Sequence, residues 1–377
     1  MKTTLPQTGA PSMINRRNFF AGAATTVGAV ALGAAAAAPA AAKPEPGFAA
    51  PTGQYRVDLH AHFLPPEYRA ALLSHGHFTI GGYPTPTWSP EADLAFQDYY
   101  GISARVLAVS DPGVSFLAGK EAIDLARYCN TYAADLIKKH PKRFGSFAVL
   151  PLPNLIASIA ELAYALDVLH LDGVTLLSAY DGVYLGDPRY EPLMMELNRR
   201  SAYVFVHPAA IPDNAKPHLP LPDFLAEFTF DTTRAATMMM MTGVMERYPN
   251  IRFQLAHAGG TLPFLTHRIG VASQTVLGRL GLPKISLLDV KAQVAGMYYD
   301  TALSAAPTAM NSVLAATSRD HIVFGSDWPF SALVLDQHGD RDPAPGLSET
   351  FTTEQRLEIE RHNPLGQLPR LKATIGR

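Results

Sequence analysis

Four places in this sequence carry residue types that bind divalent metal ions and move protons. Asp58-Leu59-His60-Ala61-His62 sets two imidazoles two residues apart, and Val206-His207-Pro208 adds a third. Ala256-His257-Ala258-Gly259-Gly260 adds a fourth, and Gly325-Ser326-Asp327-Trp328-Pro329 a carboxylate. In a strand, the period of two sends His60 and His62 to one side, where they can grip one ion together. His207 and Asp327 then complete a three-nitrogen, one-oxygen set suited to zinc, or to manganese or iron with further water ligands. Taken singly, a histidine at a strand end is ordinarily a satisfied polar group, and an aspartate after a strand ordinarily caps a helix. The joint pattern is what carries the expectation. Cys129 is the one cysteine, so a thiolate pair is excluded and any metal rests on imidazoles and carboxylates.

These residues need a frame that brings them to one place. Eight short apolar runs rich in β-branched residues read as strands: Arg56–His60, Ile102–Ser110, Arg143–Leu150, Gly173–Leu177, Tyr203–His207, Ile251–His257, Met297–Leu303 and His321–Ser326. Helix-sized segments separate them, among them Gly119–His140, Leu155–Leu169, Glu191–Arg200 and Thr232–Tyr248. Eight strands each followed by a helix predict a (β/α)₈ TIM barrel; the absence of a Gly-rich first turn weighs against an open doubly wound sheet. In such a barrel the active site lies at the C-terminal ends of the strands, which is where His60, His62, His207, His257 and Asp327 fall. Pro141 after Lys138-Lys139-His140 and Pro249 after Arg247 mark helix ends. Met238–Met241 point to all sides of a helix and read as core filling. The other histidines (75, 77, 140, 170, 218, 267, 321, 338 and 362) fall in loops, helices or strand starts and are not assigned to the metal.

Composition sets the class. The chain has 377 residues, 47% hydrophobic and only 17% charged, with a formal net charge of −2. A large dry core follows, and no basic stripe invites nucleic acid. Asn15-Arg16-Arg17-Asn18-Phe19-Phe20 precedes an Ala-rich apolar run to about Ala42, the order of a cleavable twin-arginine export signal. A retained membrane-anchoring helix is the alternative. The expected organisation is a signal over 1–42, a Pro- and Gly-rich linker over 43–54 and one barrel domain over 55–377, delivered by the twin-arginine machinery to the periplasm or outside the cell.

From Tyr55 onward the chain resembles the amidohydrolase superfamily, in the branch typified by aminocarboxymuconate-semialdehyde decarboxylase. The matching stretches are DLHAHFLPPEY at Asp58–Tyr68, FVHP at Phe205–Pro208, Asp231–Thr233 with the following helix, AHAGGTLPF at Ala256–Phe264 and GSDWPF at Gly325–Phe330. The resemblance implies His60, His62, His207 and Asp327 as metal ligands, and His257 as the histidine that hydrogen-bonds substrate or water. The segment His75–Asp98, with Gly81-Gly82-Tyr83-Pro84 and Trp88-Ser89-Pro90-Glu91, is most similar to the subgroup that decarboxylates 6-methylsalicylate and related phenolic acids. One departure matters: the aminocarboxymuconate enzymes hold a second carboxylate with an arginine after strand 1, whereas no Lys or Arg lies between Arg69 and Arg105 here. A dicarboxylate is thereby disfavoured. Phe78, Tyr83 and Trp88 in that loop, with Trp328, offer surfaces on which an aromatic ring could lie.

The expected activity is metal-dependent decarboxylation of a salicylate-type acid, with zinc foremost and manganese as the alternative ion. Asp327 is the expected proton carrier to the ring carbon and His257 the hydrogen-bonding partner of the carboxylate or phenolate oxygen. Two alternatives stand beside it: a hydrolase of a lactone, ester or amide using the same five residues, and an exported protein that captures a small acid without chemistry. The resemblance allows a homodimer, for which nothing in the sequence marks an interface.

Overall fold

The computed structural model describes residues 53–210, 220–280, 284–335 and 341–376. The expected export signal, the linker up to residue 52, His218 and His338 lie outside the described residues. Among the described residues no helix is long and apolar enough to cross a membrane.

Eight parallel strands pair in chain order: β1 Arg56–His62, β2 Ile102–Ala108, β3 Phe144–Ala148, β4 Gly173–Leu177, β5 Tyr203–His207, β6 Arg252–Leu255, β7 Tyr298–Asp300 and β8 Ile322–Val323. Backbone bonds join the last strand to the first: Leu59 N donates to Phe324 O (2.9 Å), Asp327 N to His60 O (2.8 Å) and His62 N to Trp328 O (2.8 Å). Every expected strand is present, and the structure is a nearly closed parallel barrel of the expected TIM type. The ladder on β8 ends at Val323, earlier than expected, because the chain beyond it turns across β1 rather than running beside β7.

The helices follow the local chemistry. Ser89, Asn154 and Ser286 each accept a hydrogen bond from a first-turn N–H, starting the helices Pro90–Tyr99, Leu155–Ala163 and Leu287–Ala295. The helix Gly119–Lys139 ends on Lys138 and Lys139, cations placed against its C-terminal carbonyls. The segment expected as one helix over Thr232–Tyr248 is two, Glu227–Met241 and Val244–Arg247, broken where Gly243 takes a φ of 76°. Met239 and Met240 are buried and Met238 is exposed, the all-round distribution expected of that run.

Strand alternation builds the barrel interior. Ala104, Val106 and Ala108 of β2 pack in one cluster with Leu59, Phe147, Tyr203 and Phe205, while Leu107 joins the layer between strands and helices. Leu365, Leu368 and Leu371 enter the inner cluster beside Val57 and Tyr203, so the C-terminal helices Asn363–Gln367 and Pro369–Ile375 seal the end where the strands begin. His321 lies at that end too, stacked on Tyr298 at 4.5 Å with Nδ1 against Met297 O (3.0 Å).

One irregularity decides what β1 presents. Asp58 lies opposite Arg105 and Ala61 opposite Leu107, so three steps on β1 match two on β2, a β-bulge. Without it Asp58, His60 and His62 would share a face. With it, Asp58 turns to the helix side to meet Arg105, while His60 packs on Phe205 of the interior at 4.7 Å. The bulge is pinned by Asp58 Oδ1, which accepts from His60 N at 3.1 Å.

Gly325 lets β8 approach this bulge, since a Cβ there would stand 2.6 Å from His60 Cβ. Gly325→Ala is therefore expected to destabilise the fold by about 1–3 kcal/mol, the usual cost of overpacking. Urea unfolding checks this; a change under about 0.5 kcal/mol, the surface-substitution level, would refute it.

Candidate active site and metal centre

Each imidazole is fixed by the nitrogen that faces away from the centre. His60 Nδ1 lies 3.0 Å from Asp300 Oδ2, His62 Nδ1 lies 3.2 Å from Ala108 O, and His207 Nδ1 lies 2.8 Å from Pro208 O. All three acceptors take a proton from Nδ1, which turns each Nε2 toward the shared centre, the pattern of metal-binding histidines.

The donor atoms converge. His60 Nε2 and His62 Nε2 are 3.1 Å apart, and Asp327 Oδ1 stands 3.4 Å from the first and 3.1 Å from the second. Ligands at about 2.0–2.2 Å from one zinc in tetrahedral array are about 3.3–3.6 Å from each other, so this spacing fits a shared divalent ion. One ligand atom from each of His60, His207, His257 and Asp327 lies within 4.8 Å of all the others. His62 belongs with them on its 3.1 Å approach to both His60 and Asp327. His257 Nε2 instead faces the other oxygen of Asp327, Oδ2, at 3.4 Å, and its Nδ1 is buried without a partner. His60, His62, His207, His257 and Asp327 thus gather at one buried place, with His257 against the Asp327 oxygen that faces away from His62.

Electrostatics agree with a cation there. Burial pushes His60 down, but the carboxylates of Asp300 and Asp327 outweigh burial and hold it up at about 10. His62 is lowered chiefly by burial, and His207 is held well below its ordinary value by burial and then by His62, His60 and His257. Burial would raise Asp327, yet His60, His257 and His62 keep it well below the usual carboxylate range. Two neutral imidazoles and an ionised carboxylate therefore surround a point that draws positive charge.

The chain makes these positions at a cost. Asp327 has a φ of 61°, and His257, Ala258, Gly259 and Gly260 form four consecutive left-handed residues. Non-glycine residues held there cost on the order of 1–3 kcal/mol each and persist where surroundings overdetermine them. Gly260 also lets the turn meet the helix Glu227–Met241, because a Cβ there would lie 2.0 Å from Thr229 O.

A cavity of about 350 Å³ opens onto His207, His257 and Asp327, near the lower end of small-molecule sites. Ile80, Tyr83, Phe224, Phe228, Leu303 and Phe330 form its apolar wall, with Ser110 among its few polar groups. Phe330 reaches the centre at 5.4 Å from the His62 ring, and Tyr83 packs 5.6 Å from Phe330. Among the described residues, none that lines this cavity is Lys or Arg.

Three expected substrate contacts do not line this cavity. Phe78 is 67% exposed, because the Gly81-Gly82 turn that follows carries Ile80 and Tyr83 to the wall in its place. Trp88 is buried against Phe63 at 5.9 Å, its Nε1 donating to Asp93 Oδ2 at 3.0 Å. Trp328 packs on Phe96 at 5.3 Å, since the turn that aims Asp327 inward sends its neighbour toward the helix Pro90–Tyr99. Phe330, two residues on, is the aromatic of the GSDWPF stretch that lines the cavity.

Asp300 is a buried carboxylate beside His60 to which residue order alone assigned no role. It ends β7, is fully buried, and accepts from His60 Nδ1, Gln254 Nε2 (2.9 Å), His257 N (2.9 Å) and Ala302 N (3.2 Å). Its signal was a carboxylate inside the expected strand Met297–Leu303, which in the structure ends at Asp300 itself. Asp231 is a second: it accepts from Tyr184 OH (2.6 Å), Ala209 N (2.9 Å) and Ser178 Oγ, anchoring the chain just after His207.

A family model described as amidohydrolase matches residues 57–365. A decarboxylase of Aspergillus niger is 37% identical over 292 residues, 73% of this chain and 77% of that one. The 6-methylsalicylic acid decarboxylase of Aspergillus aculeatus is 34% identical over 84% of this chain and 97% of its own. Among solved structures, 5-carboxyvanillate decarboxylase from Novosphingobium aromaticivorans with bound manganese superposes with a TM-score of 0.71 at 19% identity, over 82% of this chain and 96% of that one.

Asp300→Asn keeps the shape but removes the charge that orients His60. Metal affinity, measured by chelator competition, is expected to fall about 10–100-fold, as for other partners of ligating histidines. Unchanged affinity would remove Asp300 from the site.

Proposed function

The chain belongs to the amidohydrolase family, and from that premise we propose that it is a metal-dependent decarboxylase of a small aromatic acid of the salicylate type, such as 6-methylsalicylate. The observation that carries this reading is the apolar cavity of about 350 Å³ opening directly on His207, His257 and Asp327. A single substituted ring fits its aromatic wall, and with no basic side chain among the described lining residues the acid's charge must be met at the metal centre and His257. The same lack disfavours a second carboxylate on the substrate.

His60, His62, His207 and Asp327 would hold the ion, zinc foremost and manganese next, the metal carried by the Novosphingobium protein. When bound, the ion supplies positive charge that draws the carboxylate and the ortho hydroxyl and steadies the negative charge developing on the substrate. The other work falls to the chain. His257, at the cavity wall with Nε2 3.4 Å from Asp327 Oδ2, would donate to the carboxylate or phenolate oxygen of the substrate. Asp327 rests ionised, so it donates only after first taking a proton from the phenol or from water. It then passes that proton to the ring carbon bearing the carboxylate. That carbon becomes tetrahedral, the bond to the carboxyl carbon breaks, its electron pair restores the aromatic ring, and carbon dioxide leaves. Protonation first avoids an aryl carbanion. Tyr83, Phe224, Phe228 and Phe330 exclude water, which strengthens each charge interaction inside.

The hydrolase alternative would use the same residues, and relatives at 34–37% identity are named decarboxylases. The Arg16-Arg17 motif and the Ala-rich run after it support export through the twin-arginine machinery to the periplasm or cell exterior. Assembly as a homodimer belongs to the same proposal; the exposed apolar side chains of Phe78 and Phe264 suit a partner surface.

Carbon dioxide release from 6-methylsalicylate and salicylate is expected from the purified protein, lost on chelation and restored by Zn²⁺ or Mn²⁺. Cleavage of aryl esters or lactones with no gas release would overturn the assignment. Asp327→Asn is expected to abolish turnover while retaining some metal, and His257→Ala to slow it roughly 10²–10⁴-fold. Near-normal rates in either variant would remove the role assigned to that residue.

A further inference from the structure

Directly behind the metal centre, on the helix side of β1, lies a charge cluster that touches neither the cavity nor solvent. Arg105 of β2 is fully buried, as are Asp58 and Asp93. Its Nε donates to Asp58 Oδ2 at 3.0 Å, its Nη1 to Asp93 Oδ1 at 2.7 Å and its Nη2 to Ser326 Oγ at 3.3 Å. The guanidinium is enclosed by the rings of Phe96 and Trp328, at 4.9 and 5.1 Å.

A buried ion cluster is weak evidence for stability, because desolvating the charges consumes most of what their attraction returns. What this cluster does have is an output. Asp58 accepts from Ser326 Oγ (2.6 Å), Ser326 N (3.0 Å) and His60 N (3.1 Å), and so grips one ligand's own backbone and the residue before another. Ser326 Oγ in turn accepts from Trp328 N at 3.2 Å, and the Trp328 ring lies over Arg105. Asp327 is thus held from both sides of the chain while its own φ stands at 61°. The far end of the cluster reaches Trp88 and Gln97 through Asp93, tying in the helix Pro90–Tyr99.

We propose that Arg105, acting through Asp58 and Ser326, is a positioning residue for the metal centre: it holds the left-handed turn that aims the Asp327 carboxylate at His60 and His62. The planar fork is essential to this role. Three acceptors lie at separate ends of one guanidinium, a geometry that lysine, a point charge on a flexible stem, does not reproduce. The inference rests on the metal-site reading above, but not on which reaction the site performs.

The test uses Ser326→Ala, which deletes the hydroxyl shared by Arg105, Asp58 and Trp328 while leaving the ion pairs intact, and Arg105→Lys, which keeps the charge. Full-length protein is stripped of metal and titrated with Co²⁺, reading the visible spectrum and the affinity against a chelator; urea unfolding of the metal-free protein is followed in parallel. For Ser326→Ala we expect affinity about 10–100-fold weaker, an altered cobalt spectrum, and a metal-free protein that still unfolds in one cooperative transition. Arg105→Lys should reproduce the spectral change, and in the double variant the losses should fall short of additive, as for members of one network. Parent-like cobalt affinity and spectrum in Ser326→Ala would overturn the proposal, whether or not Arg105→Lys folds. So would additive losses in a folded double variant. A parent that binds cobalt but releases no carbon dioxide from salicylates would sink the decarboxylase reading alone.

Discussion

Nitrogen lone pairs repel one another, and this molecule aims several at one buried point. The Nδ1 atoms of His60, His62 and His207 are committed to acceptors behind them, so their Nε2 atoms face inward, 3.1 Å apart in the His60–His62 pair. Asp327 adds an ionised oxygen at similar range. In a dry interior such a cluster is tolerable only around positive charge. The rest of the architecture answers that demand. β1 is bulged to present two histidines, β7 ends in the carboxylate that orients one of them, and β8 leaves the ladder early to bring Asp327 across.

Rigidity follows from the same requirement. Left-handed residues at His257, Ala258 and Asp327 would relax in an isolated peptide. Here they are overdetermined: Asp300 takes the His257 N–H, Asp58 takes that of Ser326, and His60 O takes that of Asp327. Buried carboxylates set back from the cavity therefore commit their hydrogen bonds to the backbone of residues at or beside its floor. The cavity wall contrasts with this floor. It is almost wholly apolar, so orientation of a polar substrate must come from the metal centre and His257.

Much of this was legible from residue order. Parallel strands buried on both faces read as short apolar runs, and eight of them separated by helix-length segments leave few architectures. That His60, His207, His257 and Asp327 would meet was legible because barrel chemistry collects at the C-terminal strand ends, a rule that needs only strand positions. The same rule missed Asp300, because the apolar run Met297–Leu303 reads as one strand and hides that β7 ends at Asp300. Phe78, Trp88 and Trp328 were misplaced for a different reason. Residues beyond a strand end follow no period, so an aromatic in a loop can face the site, the helices or solvent with equal claim. Phe330 and Trp328 differ by two positions and occupy opposite sides of the same turn.

What the sequence determined by itself was the stock of side chains able to bind a metal and the order of elements, since metal chemistry depends on residue type and strand order on hydrophobic period. The tertiary structure alone decided which face each donor took. The bulge at Asp58–Ala61 reverses the alternation that a regular β1 would follow, and it arises from a bond between Asp58 and its own chain together with partners more than 40 and 260 residues away, Arg105 and Ser326. Contacts between segments so distant in the chain leave no local periodicity to read, because the energy that selects them is released only once the barrel has closed.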